Sequence, residues 1–96
     1  MFKKEHQKLG KRIRKLRKEA GWSMRVFGSM IGLSKDSIYA IEKGRKSPTL
    51  DSLCKIAFGL NITLSDLVED IGPTPRDVML DGGNEPPITS YRGIEL

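Results

Sequence analysis

Between Gln7 and Ala20 the apolar residues Leu9, Ile13, Leu16 and Ala20 recur at steps of three and four, the spacing of one face of an α-helix. The other positions carry Lys8, Lys11, Arg12, Arg14, Lys15, Arg17 and Lys18, so the rest of the predicted helix is cationic. Gly21 is its stop signal. Ser23 is placed to cap a second, short helix over Met24 to Ile31, because its hydroxyl can accept from a backbone N–H one turn in. Gly32 ends that helix and Leu33 turns inward at the junction. Ser34 repeats the capping logic for a third helix, which runs to about Lys43 with Ile38 and Ile41 inward, and Gly44 closes it. Pro48 forbids a simple continuation. Thr49 caps a fourth helix with Leu50, Leu53, Ile56, Ala57 and Leu60 as its apolar face. A fifth, short helix is predicted from Thr63 or Ser65, including Leu64, Leu67 and Val68.

The helical period fades at Gly72, where Pro, Gly, Asp and Glu take over. This divides the chain into a helical domain, residues 1–71, and a C-terminal tail, residues 72–96. Within the tail, Asp77 to Leu80 and Ile88 to Tyr91 are predicted to form a weak hairpin or extended arms, ordered by the body or by a partner chain.

Length and composition fit this all-α plan. Ninety-six residues suit one domain that buries its own core. With only six aromatic residues, that core must be built mainly from Leu, Ile, Val and Met. The net charge of +5 is unevenly placed. Residues 1–48 hold 14 Lys/Arg and 4 Asp/Glu, and residues 49–96 hold 3 and 8. The basic half is a candidate polyanion surface, although a solvated basic helix has the same composition.

One cysteine, Cys54, cannot form an intramolecular disulfide, and no Cys or His cluster has metal-ligand spacing. A reducing, cytoplasmic setting is expected. No apolar run approaches the roughly 20 residues of a membrane span, so no membrane association is expected. His6 has neither a metal set nor a nucleophile beside it. No catalytic residues, metal, cofactor or small-molecule ligand are expected. Cys54 is expected to pack beside the apolar face of helix four, and Trp22 to cover one end of the core.

Residues 23–44, S-M-R-V-F-G-S-M-I-G-L-S-K-D-S-I-Y-A-I-E-K-G, describe two short helices joined by a tight glycine turn. Packed at a steep angle, such a pair braces one helix across a DNA backbone and sends the leading end of the other into the major groove. Phe27, Gly28 and Ile31 would face the bundle, Leu33 would fill the turn, and Ile38 and Ile41 would anchor the second helix.

This stretch and its flanks, about residues 7–69, resemble the phage-repressor and Cro family of DNA-binding domains, which includes the xenobiotic-response-element type bacterial regulators. The landmarks are I-R-K-L-R-K-E-A-G at 13–21, G-L-S at 32–34, I-E-K-G at 41–44, Pro48, and L-x-x-L-x-x-I-A at 50–57. The resemblance implies a five-helix, lambda-repressor-like fold without catalytic activity, binding as a homodimer to a palindromic operator in double-stranded DNA. It puts Lys35, Asp36, Ser37 and Ala40 at base-reading positions, with Tyr39 beside them. Lys35 could then donate to guanine, and Asp36 could accept from cytosine N4 or simply stabilise its helix N-terminus. Ser37 suits either donor or acceptor, Ala40 offers a methyl for thymine, and Tyr39 either meets a phosphate or packs on the surface. Ser23, Arg25, Lys43, Arg45 and Lys46 are expected at phosphates, and Arg17 with Glu42 as a structural salt bridge.

Two positions depart from the family pattern. Met24 stands where glutamine is usual and cannot fix a phosphate in the same way. Gly28 replaces an alanine at the closest helix approach, with an expected cost of about 0.5–1 kcal/mol in helix stability. Dimer contacts are expected from Leu64, Leu67, Val68 and Ile71. The rival reading is an adaptor that keeps the fold but binds a protein partner, a use that Met24 and the apolar tail residues would suit; Met24, Val26, Met30 and Phe58 are the residues least easily buried by the five-helix plan.

Overall fold

A computed structural model of the chain describes residues 2–72. Five helices follow one another: α1 (Lys3–Glu19), α2 (Met24–Ile31), α3 (Lys35–Glu42), α4 (Leu50–Gly59) and α5 (Leu64–Leu67). The expected all-α class is found, with no strand among the described residues. The segments at Asp77–Leu80 and Ile88–Tyr91 lie outside the described residues.

Hydroxyl caps set four of the helix starts. Ser23, Ser34, Thr49 and Thr63 each sit in extended backbone and accept from the N–H three residues on, at 3.0 to 3.1 Å. Each such cap satisfies a donor that the helix leaves orphaned, worth about 1 kcal/mol. Thr63 is strengthened by a reciprocal contact, because Asp66 accepts from its N–H.

The core consists of Leu9, Ile13, Phe27, Ile31, Ile38, Ile41, Ile56, Ala57 and Leu67. Phe27 is the aromatic among them, and Trp22 stacks on it with ring centroids 5.7 Å apart, half-covering that end of the core. α1 packs on α3 and α5, and α2 packs on α3 and α4. Basic side chains of α1 also hold the end of α5: Arg12 donates to the carbonyls of Leu67 and Glu69, and Lys8 to that of Asp70. These bonds satisfy carbonyls that a helix terminus leaves unpaired.

Several expectations need correction. α1 begins at Lys3, a full turn before Gln7; Lys3 to His6 are compatible with a helix but carry no apolar period to reveal it. His6 is therefore a half-buried helix residue and not part of a lead-in segment. Ala20 is exposed, since it is already the C-cap of α1. Leu50 is 65% exposed, lying in the first turn of α4, one turn ahead of Leu53 where core contact begins. Cys54 is exposed, because one residue beyond Leu53 is a rotation of about 100° away from the packed face. Leu67 is fully buried and has no surface left for a dimer contact.

Candidate nucleic-acid interface

The α2–α3 turn depends on a missing side chain. Gly32 takes the left-handed conformation, φ 77°, and the N–H groups of Gly32 and Leu33 both donate to the Gly28 carbonyl. A Cβ on Gly28 would collide with the Leu33 carbonyl oxygen. Glycine at this position therefore permits the backbones to touch, whereas alanine would have to spread them.

With Phe27, Gly28 and Ile31 buried on α2, and Ile38, Ile41 and Glu42 buried on α3, the outer side of α3 is determined by helical geometry. Lys35, Asp36 and Tyr39 are exposed there, while Ser37 and Ala40 are half-buried. Arg25, Lys43, Arg45 and Lys46 are exposed as well. Ser23 is exposed and uses its Oγ as the cap acceptor for Val26 N–H, leaving its own O–H to donate.

The loop after α3 folds its cations back onto that helix. Lys46 Nζ donates to Ser37 Oγ at 3.2 Å. The Lys43 ammonium lies 5.6 Å and the Arg45 guanidinium 5.9 Å from the Tyr39 ring centre, within the range of cation–π attraction. Tyr39 thus gathers two positive groups beside the outer side of α3. Ser37 is already hydrogen-bonded to Lys46, so the two act as one unit.

Electrostatics reinforce this layout. Of the two carboxylates in α3, Asp36 is exposed and Glu42 is buried against Arg17. Arg17 Nε and Nη2 donate to the two Glu42 carboxylate oxygens at 2.7 and 3.0 Å, and Nη1 donates to the Trp22 carbonyl at 2.6 Å. The hydrogen bond to Glu42 raises the Arg17 pKa above its ordinary value, outweighing the opposing effect of burial. With Glu42 neutralised inside, the outer surface keeps its cations in excess.

Met24 is half-buried and packs against the core, so its side chain serves the bundle. Among features that sequence reasoning missed, Gly10 matters most. A Cβ there would meet the carbonyls of Glu42 and Ile41, so this glycine lets α1 lie directly on the end of α3. A glycine inside a run of strong helix formers was the available signal. The anchoring of α5 by Lys8 and Arg12 left no comparable mark, since both read as solvated charges.

Comparison with known proteins agrees with this geometry. A family model described as "Helix-turn-helix" matches residues 13–67. The transcriptional regulator SutR of Escherichia coli is 38% identical over 56 residues, an alignment covering 58% of this chain and 32% of SutR; the chain thus spans about a third of that relative's length. The control protein C.MunI of Mycoplasma is 40% identical over 65 residues, covering 67% of this chain and 88% of C.MunI. The P22 c2 repressor, solved with a synthetic operator, superposes with a TM-score of 0.60 at 26% identity, covering 64% of this chain and 92% of the repressor chain. By its caps, its glycine-jointed α2–α3 pair and these matches, the chain belongs to the helix-turn-helix DNA-binding family of the phage-repressor and Cro type.

Proposed function

We propose that the protein is a sequence-specific regulator of transcription, a repressor that binds a palindromic operator in double-stranded DNA as a homodimer. The observation that carries this reading is the outer side of α3. Lys35, Asp36 and Tyr39 project from a helix anchored by Ile38 and Ile41, flanked by the cations of the following loop. In the bound state Lys35 and Asp36 read base edges, and the half-buried Ser37 and Ala40 do so at closer range. Ser23, Arg25, Lys43, Arg45 and Lys46 contact phosphates and set register and affinity. The relatives add support: SutR is named a transcriptional regulator and the P22 c2 repressor was solved with an operator.

Two copies place their α3 helices in successive major grooves about 34 Å apart. Leu64, Val68 and Ile71, half-buried on one chain, are the apolar residues available for pairing. The protein acts where the DNA is, in the cytoplasm. The adaptor reading is weakened because Met24, which favoured it, packs inward. Selection from a pool of random duplexes tests the proposal. Enrichment of a short palindrome is expected, and no enrichment would replace it with the adaptor reading.

A further inference from the structure

Lys4, Lys8, Lys11, Lys15 and Lys18 follow one another along α1 at steps of four, three, four and three, which aligns them in a single stripe about 21 Å long. Lys11 and Lys15 lie two residues either side of Ile13, the fully buried centre of the inner face, and so point about 160° away from it. Four of the five are free: Lys8 holds the Asp70 carbonyl, whereas Lys4, Lys11, Lys15 and Lys18 are exposed and form no ion pair among the described residues. Arg14, also exposed and without an ion pair among the described residues, flanks the stripe.

The stripe is distinct from the surface proposed to read DNA. α3 meets α1 through Gly10 and Arg17; Lys11 and Lys18 each follow one residue later, about 100° further round the helix. The bundle fold accounts for the inner face of α1 and for Lys8 and Arg12, but makes no use of the outer lysines. Like charges at these spacings destabilise a helix slightly, so the sequence carries a small penalty here with no compensating ion pair among the described residues.

We infer that the lysine stripe of α1 is a second polyanion-binding surface that takes the phosphate backbone of another DNA duplex, so that the protein can bridge two duplexes. The chemistry favours a nucleic-acid backbone over a protein partner. Among the described residues no aromatic side chain lies on the stripe, and the nearest aliphatic ones, Leu16 and Ile62 in the groove beside Lys11 and Lys15, are half-buried, whereas protein interfaces draw most of their affinity from large apolar anchors. Backbone binding to DNA requires only cations that displace counterions. The inference rests on the reading above in one respect, that α3 holds the first duplex.

The test uses the full chain, an immobilised duplex recovered by selection, and a labelled random duplex as the second. Wild type should capture the label in a salt-sensitive manner. The variant Lys4→Gln/Lys11→Gln/Lys15→Gln/Lys18→Gln should lose capture by about tenfold or more at low salt, with the salt slope reduced by about three to four. Its affinity for the selected duplex should stay within about threefold of wild type, which also establishes that it is folded. Equal capture by variant and wild type would overturn the inference. So would parallel loss of both duplexes, which would place the stripe on the flanks of the first one, or binding of a polyglutamate peptide in preference to the random duplex, which would indicate an acidic protein partner. Failure of the function proposed above would be seen separately, as a selection that enriches nothing. In that case direct binding of the random duplex, compared between the stripe variant and Arg45→Gln/Lys46→Gln, decides the inference: loss only in the stripe variant supports it, and loss only in the loop variant overturns it.

Discussion

Arg17 and Glu42 meet in a two-pronged ion pair, Nε to Oε2 at 2.7 Å and Nη2 to Oε1 at 3.0 Å, with both residues about 95% removed from solvent. The third arm of the guanidinium holds the Trp22 carbonyl, so one side chain ties the end of α3 to the exit of α1. Glu42→Ala should destabilise the fold by about 3–5 kcal/mol, because it strands a buried cation. The apolar pair Arg17→Met/Glu42→Leu should recover much of that loss. Urea unfolding of the three proteins decides between these outcomes, and a double variant no better than the single would show that the Trp22 contact dominates. Since the raised pKa belongs to a base, the contribution from Arg17 is complete below its ordinary value and is lost only as pH climbs through the raised one, far into the alkaline range.

At Gly28 two expectations of opposite sign compete. Helix propensity alone says that alanine should stabilise α2 by about 0.5–1 kcal/mol. The collision of the added Cβ with the Leu33 carbonyl oxygen opposes that gain, and a forced backbone shift in a packed site costs about 1–3 kcal/mol. Gly28→Ala is therefore expected to lower the urea midpoint. A higher midpoint would mean that the turn relaxes freely.

How far the fold was legible follows from these residues. For α2, α3 and α4 the apolar period and the hydroxyl cap give the helix starts, because both are local signals and agree; for α5, Thr63 and Ser65 both offer a hydroxyl, and the structure uses Thr63. α1 was read short, since Lys3 to His6 carry no apolar period, and Leu50 and Cys54 were misplaced because helical phase alone does not say where along a helix packing begins. The outward residues of α3 follow from Ile38 and Ile41 as its anchors. The Lys46–Ser37 bond and the cations around Tyr39 do not, because they depend on the path of a loop that no periodicity encodes.

Cys54 offers a direct check of the corrected placement of α4. Its exposed side chain should react with a disulfide reagent in the native protein as fast as it does in urea, to within a small factor. Cys54→Ser should change stability by less than about 0.5 kcal/mol. A thiol that reacts only on unfolding would restore the packing role and require α4 to be rotated.

Lys35 and Lys46 separate reading from positioning. Lys35 stands exposed in the first turn of α3 with no partner among the described residues, and Lys46 reaches back to Ser37 Oγ. If Lys35 donates to a guanine, Lys35→Ala should weaken binding to the selected duplex by about 1–3 kcal/mol and relax the preference at one base pair. Lys46→Ala should weaken all duplexes alike and reduce the salt slope by about one. Because it also frees Ser37, Lys46→Ala combined with Ser37→Ala should be less than additive. Titrations of each variant against the selected duplex and its single-base substitutions, at several salt concentrations, measure both effects. Uniform losses on every sequence for Lys35→Ala would remove its reading role and leave it a phosphate contact.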